Sequence, residues 1–194
     1  MIKAVIIDDE PLARSIVSEY LKNYPAIHIV QECSDGFEGV KAIAQHKPDL
    51  IFLDIQMPKI NGFEMLELID DPPAVIFTTA FDEYAIKAFE AHAIDYLLKP
   101  FSQERFDKAL QKWLGQSRQD QHENTLALLP KQIHQPEERN RIVVKESGTI
   151  RIIPVNEIQY MEAYDDYVKI FTLKEMFLKK KTMSFYESIL DPAQ

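Results

Sequence analysis

From residue 2 to about residue 116, short β-branched apolar runs alternate with stretches of helical spacing. The apolar runs are Ile2 to Ile7, Ile27 to Val30, Leu50 to Leu53, Val75 to Phe77 and Tyr96 to Leu98. Runs this short and this apolar suit strands buried on both faces. Pro11 fits the first turn of a helix carrying Leu12, Ile16, Val17, Tyr20 and Leu21. Helical spacing returns at Phe37, Val40, Ile43 and Ala44, at Phe63, Leu66 and Ile69, from Ala85 to Phe89, and from Phe101 to Trp113. Five strand–helix repeats predict an α/β fold: a doubly wound parallel sheet with helices on both faces.

In open sheets of this kind, ligands bind beyond the carboxyl ends of the strands. The polar residues that follow strands are therefore predicted to cluster: Asp8 and Asp9, Asp54, Thr78 and Thr79, and Lys99. Three carboxylates together form a negative site that calls for a cation. Hard oxygen donors with few protein ligands suit Mg2+. Asp9 and Asp54 are expected to bind it directly, Asp8 through water, and the Gln56 carbonyl as a further protein ligand. A carboxylate such as Asp54 can attack a phosphoryl group and form an acyl phosphate. Lys99 could then neutralise charge on the phosphoryl oxygens, and Thr79 could offer a hydroxyl. Taken singly, each residue has a plainer reading. Asp9 could cap the helix at Pro11, Thr79 could be a loop residue, Tyr96 a core residue and Lys99 a surface charge. Their joint placement after the right strands argues for the site.

These residues are recognisable as a set. Asp8-Asp9-Glu10, Asp54-Ile55-Gln56-Met57-Pro58 with Gly62, Thr79-Ala80, and Lys99-Pro100-Phe101 resemble the response-regulator receiver family over residues 1–116. The resemblance implies a flavodoxin-like five-stranded sheet of order 2-1-3-4-5. It implies phosphotransfer from a sensor histidine kinase to Asp54 with Mg2+. It also implies that Thr79 and Tyr96 form a switch pair and that Lys99-Pro100 is a cis bond. On activation, homodimerisation is expected through the face of the fourth helix, fifth strand and fifth helix.

The stretches from Thr79 to Phe89 and from Ala93 to Phe101 look like regulators of the LytR/AlgR type, whose effector is a β-rich LytTR DNA-binding domain. Residues 117–139, rich in Gln, Ser, Asp, His and Pro, read as a linker. From Arg141 the pattern turns to β. Ile142 to Val144 and Ile150 to Ile153 suggest a hairpin about Ser147-Gly148. Gln159 to Ala163, Tyr167 to Phe171 and Met176 to Leu178 suggest further strands, and Met183 to Leu190 a helix. Residues 140–194 would match only the first half of the LytTR domain, which makes the chain look truncated. Tyr164, Asp166 and Tyr167 are the residues that could carry over as a DNA contact. Lys179-Lys180-Lys181 is expected to be a solvated edge that discourages strand pairing, with a DNA contact as the alternative.

Charge bears on partners. Residues 1–115 hold 11 Lys and Arg against 19 Asp and Glu, and residues 116–194 hold 11 against 12. The second part is near neutral and gives no electrostatic support for nucleic-acid binding. The single cysteine, Cys33, cannot close an internal disulfide, which fits a reducing compartment. It reads as a small core residue. No run approaches the roughly 18 apolar residues of a membrane helix, and the first residues do not read as a signal peptide. A cytoplasmic protein with no membrane partner is expected. Two rival functions remain open to such a site. A phosphohydrolase of the haloacid dehalogenase type would need an acid two residues after its nucleophile, where this chain has Gln56, so no enzymatic turnover beyond self-catalysed phosphoryl acceptance and loss is expected. A phospho-switch or phosphate-sink receiver that acts by protein contacts, without DNA, is the stronger alternative.

Overall fold

A computed structural model describes residues 1–80, 93–115, 141–146 and 149–190. The chain divides into two compact units, Met1–Leu129 and Pro130–Gln194. The expected Ala85–Phe89 helix, the linker and Ser147-Gly148 lie outside the described residues.

The first unit holds β1 (Ile2–Ile7), α1 (Pro11–Leu21), β2 (Ile27–Cys33), α2 (Gly36–His46), β3 (Leu50–Asp54), α3 (Gly62–Leu66), β4 (Ala74–Thr79), β5 (Asp95–Leu98) and α4 (Gln103–Leu114). Its five strands are parallel, in the order β2-β1-β3-β4-β5. This is the flavodoxin-like arrangement that the resemblance implies. All five residues of β3 are buried, as a central strand with helices on both faces requires. One core layer joins Ala4, Ile6, Leu50, Phe52 and Ile76 of the sheet to Val17 and Leu21 of α1 and to Phe106, Leu110 and Trp113 of α4. Phe106 stacks on Phe52 at 5.2 Å between ring centroids and meets Tyr20 edge-on at 5.4 Å. Cys33 is fully buried, as expected of a core residue.

Local chemistry sets the helix ends. Asp35 caps α2 by accepting from the Glu38 amide, and Ser102 caps α4 from the Arg105 amide. Asn61 and Glu64 form a reciprocal capping box at α3. The inward face of α1 is Ala13, Val17 and Leu21, while Leu12 is 73% exposed, so the expected stripe is rotated from the observed one. The helix at Phe63 stops at Leu66, short of Ile69. Its last turn tightens, with the Leu68 and Ile69 amides bonding three residues back, before Pro72-Pro73. β4 runs to Thr79, two residues past Phe77, because Thr78 and Thr79 pair with Leu97 and Leu98.

The second unit holds β6 (Arg141–Glu146), β7 (Thr149–Pro154), β8 (Ile158–Tyr164), β9 (Tyr167–Thr172), β10 (Met176–Lys179) and α5 (Met183–Ile189). β6 and β7 form an antiparallel pair, and β8, β9 and β10 an antiparallel sheet with β9 central. Val168, Ile170 and Phe177 face a small core with Ile142, Val144, Ile153 and Tyr186. The opposite face leaves Tyr160, Tyr164, Met176 and Leu178 about half exposed, with Tyr160 stacked on Phe171 at 4.3 Å. The basic run departs from expectation. Lys179 is buried, not solvated, because the alternation of β10 turns it inward, where its ammonium donates to the Val143 carbonyl at 2.7 Å. Lys180 is exposed.

Candidate functional site: an acidic cluster at the strand ends

Asp54 is the last residue of β3 and sits in register beside Thr78 of β4. Asp8 and Asp9 follow β1, whose neighbour in the sheet is β3. Parallel pairing thus brings three carboxylates to one end of the sheet, with one oxygen from each within 4.8 Å of the others. Asp8 and Asp54 are buried, at 1% and 5% exposure, and Asp9 is partly so. Further bonds fix them. The Ile55 amide donates to Asp54 Oδ1 at 2.8 Å, and the Glu10 amide to Asp8 Oδ1 at 3.0 Å. Arg14 Nη1 donates to the Asp8 carbonyl at 2.6 Å.

Lys99 follows β5, and its amide donates to the Thr79 carbonyl at 2.7 Å. Its ammonium lies 2.7 Å from Asp8 Oδ2, 3.1 Å from Glu10 Oε2 and 3.7 Å from Asp54 Oδ2. One positive charge therefore serves a cluster of acids. The Lys99-Pro100 bond is cis, as the resemblance implies. Thr79 is fully buried, and its Oγ1 has no hydrogen-bond partner among the described residues. A buried, unspent hydroxyl at a strand end is a cost unless a ligand uses it. Gln56 lies in the β3–α3 loop, and Tyr96 stands partly buried on β5, in register with Phe77.

Burial pushes the Asp54 carboxyl up to about 7, the Lys99 ammonium opposing and the Asp8 and Asp9 charges assisting. Burial also raises Asp8, against its bonds to Lys99 and the Glu10 amide. A buried acid cluster held this way is short of positive charge. Its donors are hard oxygens, the kind that a divalent cation such as Mg2+ takes. Folded Asp54 holds its proton more tightly than the unfolded chain, where 3.8 is the ordinary value. Its contribution to stability is therefore full below that value and is lost as pH rises through about 7. Urea midpoints in a chelator are expected to be higher at pH 6 than at pH 8. Equal midpoints would contradict the burial of an ionised Asp54.

Gly62 allows the β3–α3 loop to close on the site. A Cβ there would lie 2.5 Å from the Asp54 carbonyl oxygen and 3.2 Å from Ile55 Cα, both backbone atoms that cannot rotate away. Its amide donates to the Ile55 carbonyl at 2.8 Å. Gly62→Ala is expected to destabilise the unit by roughly 1–3 kcal/mol and to weaken divalent-cation binding. Chemical denaturation and a Mg2+ titration read the two effects.

Asp8, Asp9, Asp54, Thr79 and Lys99 lie at the strand ends, with Gln56 in the loop after β3 and Tyr96 inside β5, and Lys99 lies within ion-pair distance of both Asp8 and Asp54. Glu10 is the participant to which the sequence assigned no role. Its signal was its position, an acid next to an acid pair and directly before Pro11. Tyr164 ends β8, Asp166 lies in the turn that follows and Tyr167 opens β9, all exposed. Lys169 Nζ lies 3.8 Å from the centre of the Tyr164 ring.

Residues 4–111 match the family of response regulator receiver domains. The chain is 50% identical to the transcriptional regulatory protein BtsR of Escherichia coli over 132 residues, which are 67% of this chain and 54% of that protein. It therefore spans about half the length of the curated regulators that it matches at this level. It is 38% identical to an uncharacterized response regulatory protein of Vibrio cholerae, across 98% of this chain and 79% of that one. Among solved structures, it resembles the response regulatory domain of mrkE from Klebsiella pneumoniae, with 34% identity and a TM-score of 0.54. That match covers 59% of this chain and all of that domain. The response regulator domain of Thermotoga maritima CheB gives 28% identity and a TM-score of 0.52, over 60% of this chain and 99% of that one.

Proposed function

Since the chain belongs to the response regulator receiver family, we propose that Asp54 accepts a phosphoryl group from a sensor histidine kinase and that the protein regulates transcription in response. The observation that carries this is the trio of Asp54, Lys99 and the unpartnered Thr79 hydroxyl at adjacent strand ends. An Asp54 oxygen bonds to phosphorus as the bond from phosphorus to the donor breaks, and the donor leaves with that electron pair. Lys99 neutralises the transferred oxygens, and the Thr79 hydroxyl donates to one of them. Asp9, Asp54 and the Gln56 carbonyl would hold Mg2+, with Asp8 acting through water. The ion supplies charge neutralisation at the phosphoryl group.

Engagement of Thr79 frees space for Tyr96 to turn inward, which biases the face of the expected Ala85–Phe89 helix, β5 and α4 toward homodimerisation. This is a two-state element biased by one added charge. The second unit is read as part of a LytTR-type DNA-binding domain, with Tyr164, Asp166 and Tyr167 near promoter DNA. Regulatory relatives support transcription as the output. The near-neutral charge of residues 116–194 favours the other reading, a receiver that acts by protein contacts alone.

Two measurements test the proposal. Intact-mass spectrometry after incubation with acetyl phosphate should show one added phosphoryl group with Mg2+ and none with a chelator. Selection from a random duplex pool, with Mg2+ and beryllofluoride at fixed salt, should enrich a paired motif. A modified protein that enriches no sequence would leave the phosphoacceptor reading standing and overturn the DNA reading for this chain.

A further inference from the structure

Glu10 stands at the N-cap of α1, yet its side chain makes no cap bond to the helix. It reaches 89 positions along the chain instead, and its Oε2 accepts from the Lys99 ammonium at 3.1 Å. The Glu10 amide meanwhile donates to Asp8 Oδ1, so one residue grips both members of the Asp8–Lys99 pair. The Glu10 side chain is 65% exposed and that of Lys99 13%, which places the contact at the mouth of the site. Of the three carboxylates around the ammonium, Asp54 is the farthest, at 3.7 Å.

Resting on the phosphoacceptor reading above, we infer that Glu10 is a positioning residue that holds Lys99 toward the mouth of the site, so that phosphoryl uptake by Asp54 requires release of this contact. Closing on new oxygens attached to Asp54, now the farthest of its partners at 3.7 Å, draws the ammonium away from Glu10. An ion pair with one exposed partner is weak enough to be broken in each cycle, and its loss changes a rate by roughly two- to fivefold.

The test compares Glu10→Gln and Glu10→Asp with the wild type at saturating Mg2+ and acetyl phosphate, following the phosphorylated fraction by intact mass. Aspartate keeps the charge but shortens the arm. Both variants should take up phosphoryl two- to fivefold faster than the wild type. Uptake by Glu10→Gln at the wild-type rate would overturn the inference. So would a wild-type rate in Glu10→Asp, since through-space charge would then explain the effect. A second readout needs neither metal nor donor. The Lys99 ammonium resonance of the metal-free protein should exchange its protons with water faster in both variants than in the wild type. Unchanged exchange would likewise overturn the contact. Failure of the wild type to take up any phosphoryl group would overturn the phosphoacceptor reading, while the resonance still decides whether Glu10 holds Lys99.

Discussion

Asp54→Asn will carry no phosphoryl group after incubation with acetyl phosphate and Mg2+, and without metal it will be more stable than the wild type at pH 8. The amide has nearly the shape of the carboxylate but lacks the anionic oxygen that bonds to phosphorus, so uptake falls to background. The gain in stability has a separate origin. Asp54 is 5% exposed and shares its surroundings with Asp8 and Asp9, and burial pushes its carboxyl up to about 7. Ionising it at pH 8 works against folding. Asparagine removes that charge, while Lys99 keeps its 2.7 Å partner Asp8. A gain of about 2 kcal/mol is expected, read from urea denaturation in a chelator. A variant that is inert and less stable would mean that Lys99 and Asp54 form a net stabilising pair.

Phe106→Ala will cost about 3–5 kcal/mol. Phe106 is fully buried on α4, stacked on Phe52 of β3 and edge-on to Tyr20 of α1. Three elements therefore lose contact area to one cavity. Domains of this size are stable by only about 5–15 kcal/mol, so the loss is a large share of the whole. Equilibrium denaturation should show a lower midpoint with a similar slope. Phe106→Leu, which keeps much of the volume, should recover a good part of the loss.

The sequence-based strands hold within a few residues because each core strand is a short apolar run closed by a polar residue. Asp54 and Lys99 fall at strand ends for that reason, and parallel pairing brings them together. Reach is harder to read. Nothing in the order of residues says that Glu10 spends its carboxylate on Lys99 and not on its own helix, since that choice depends on where β5 lies. Lys179 fails in the same way. Three consecutive lysines read as a solvated edge, but strand alternation turns the first of them inward to a backbone carbonyl supplied by β6. In α1 the spacing of Leu12 and Ile16 mimics a core stripe, and only the sheet below it selects Ala13, Val17 and Leu21. The exposed aromatic face of the second sheet is likewise a product of pairing, as Tyr160 and Phe171 meet only across β8 and β9.

The chain's single tryptophan, Trp113, lies in the core layer beneath α4, 4% exposed. It is therefore a built-in optical probe of one unit only. Excited at the red edge of the absorption band, where tyrosine does not absorb, its emission reports the melting of the first unit and is blind to the tyrosine-bearing second. Far-ultraviolet circular dichroism sees the backbone of both. If the two signals trace different denaturation curves, the units unfold independently, and a single free energy cannot describe the chain.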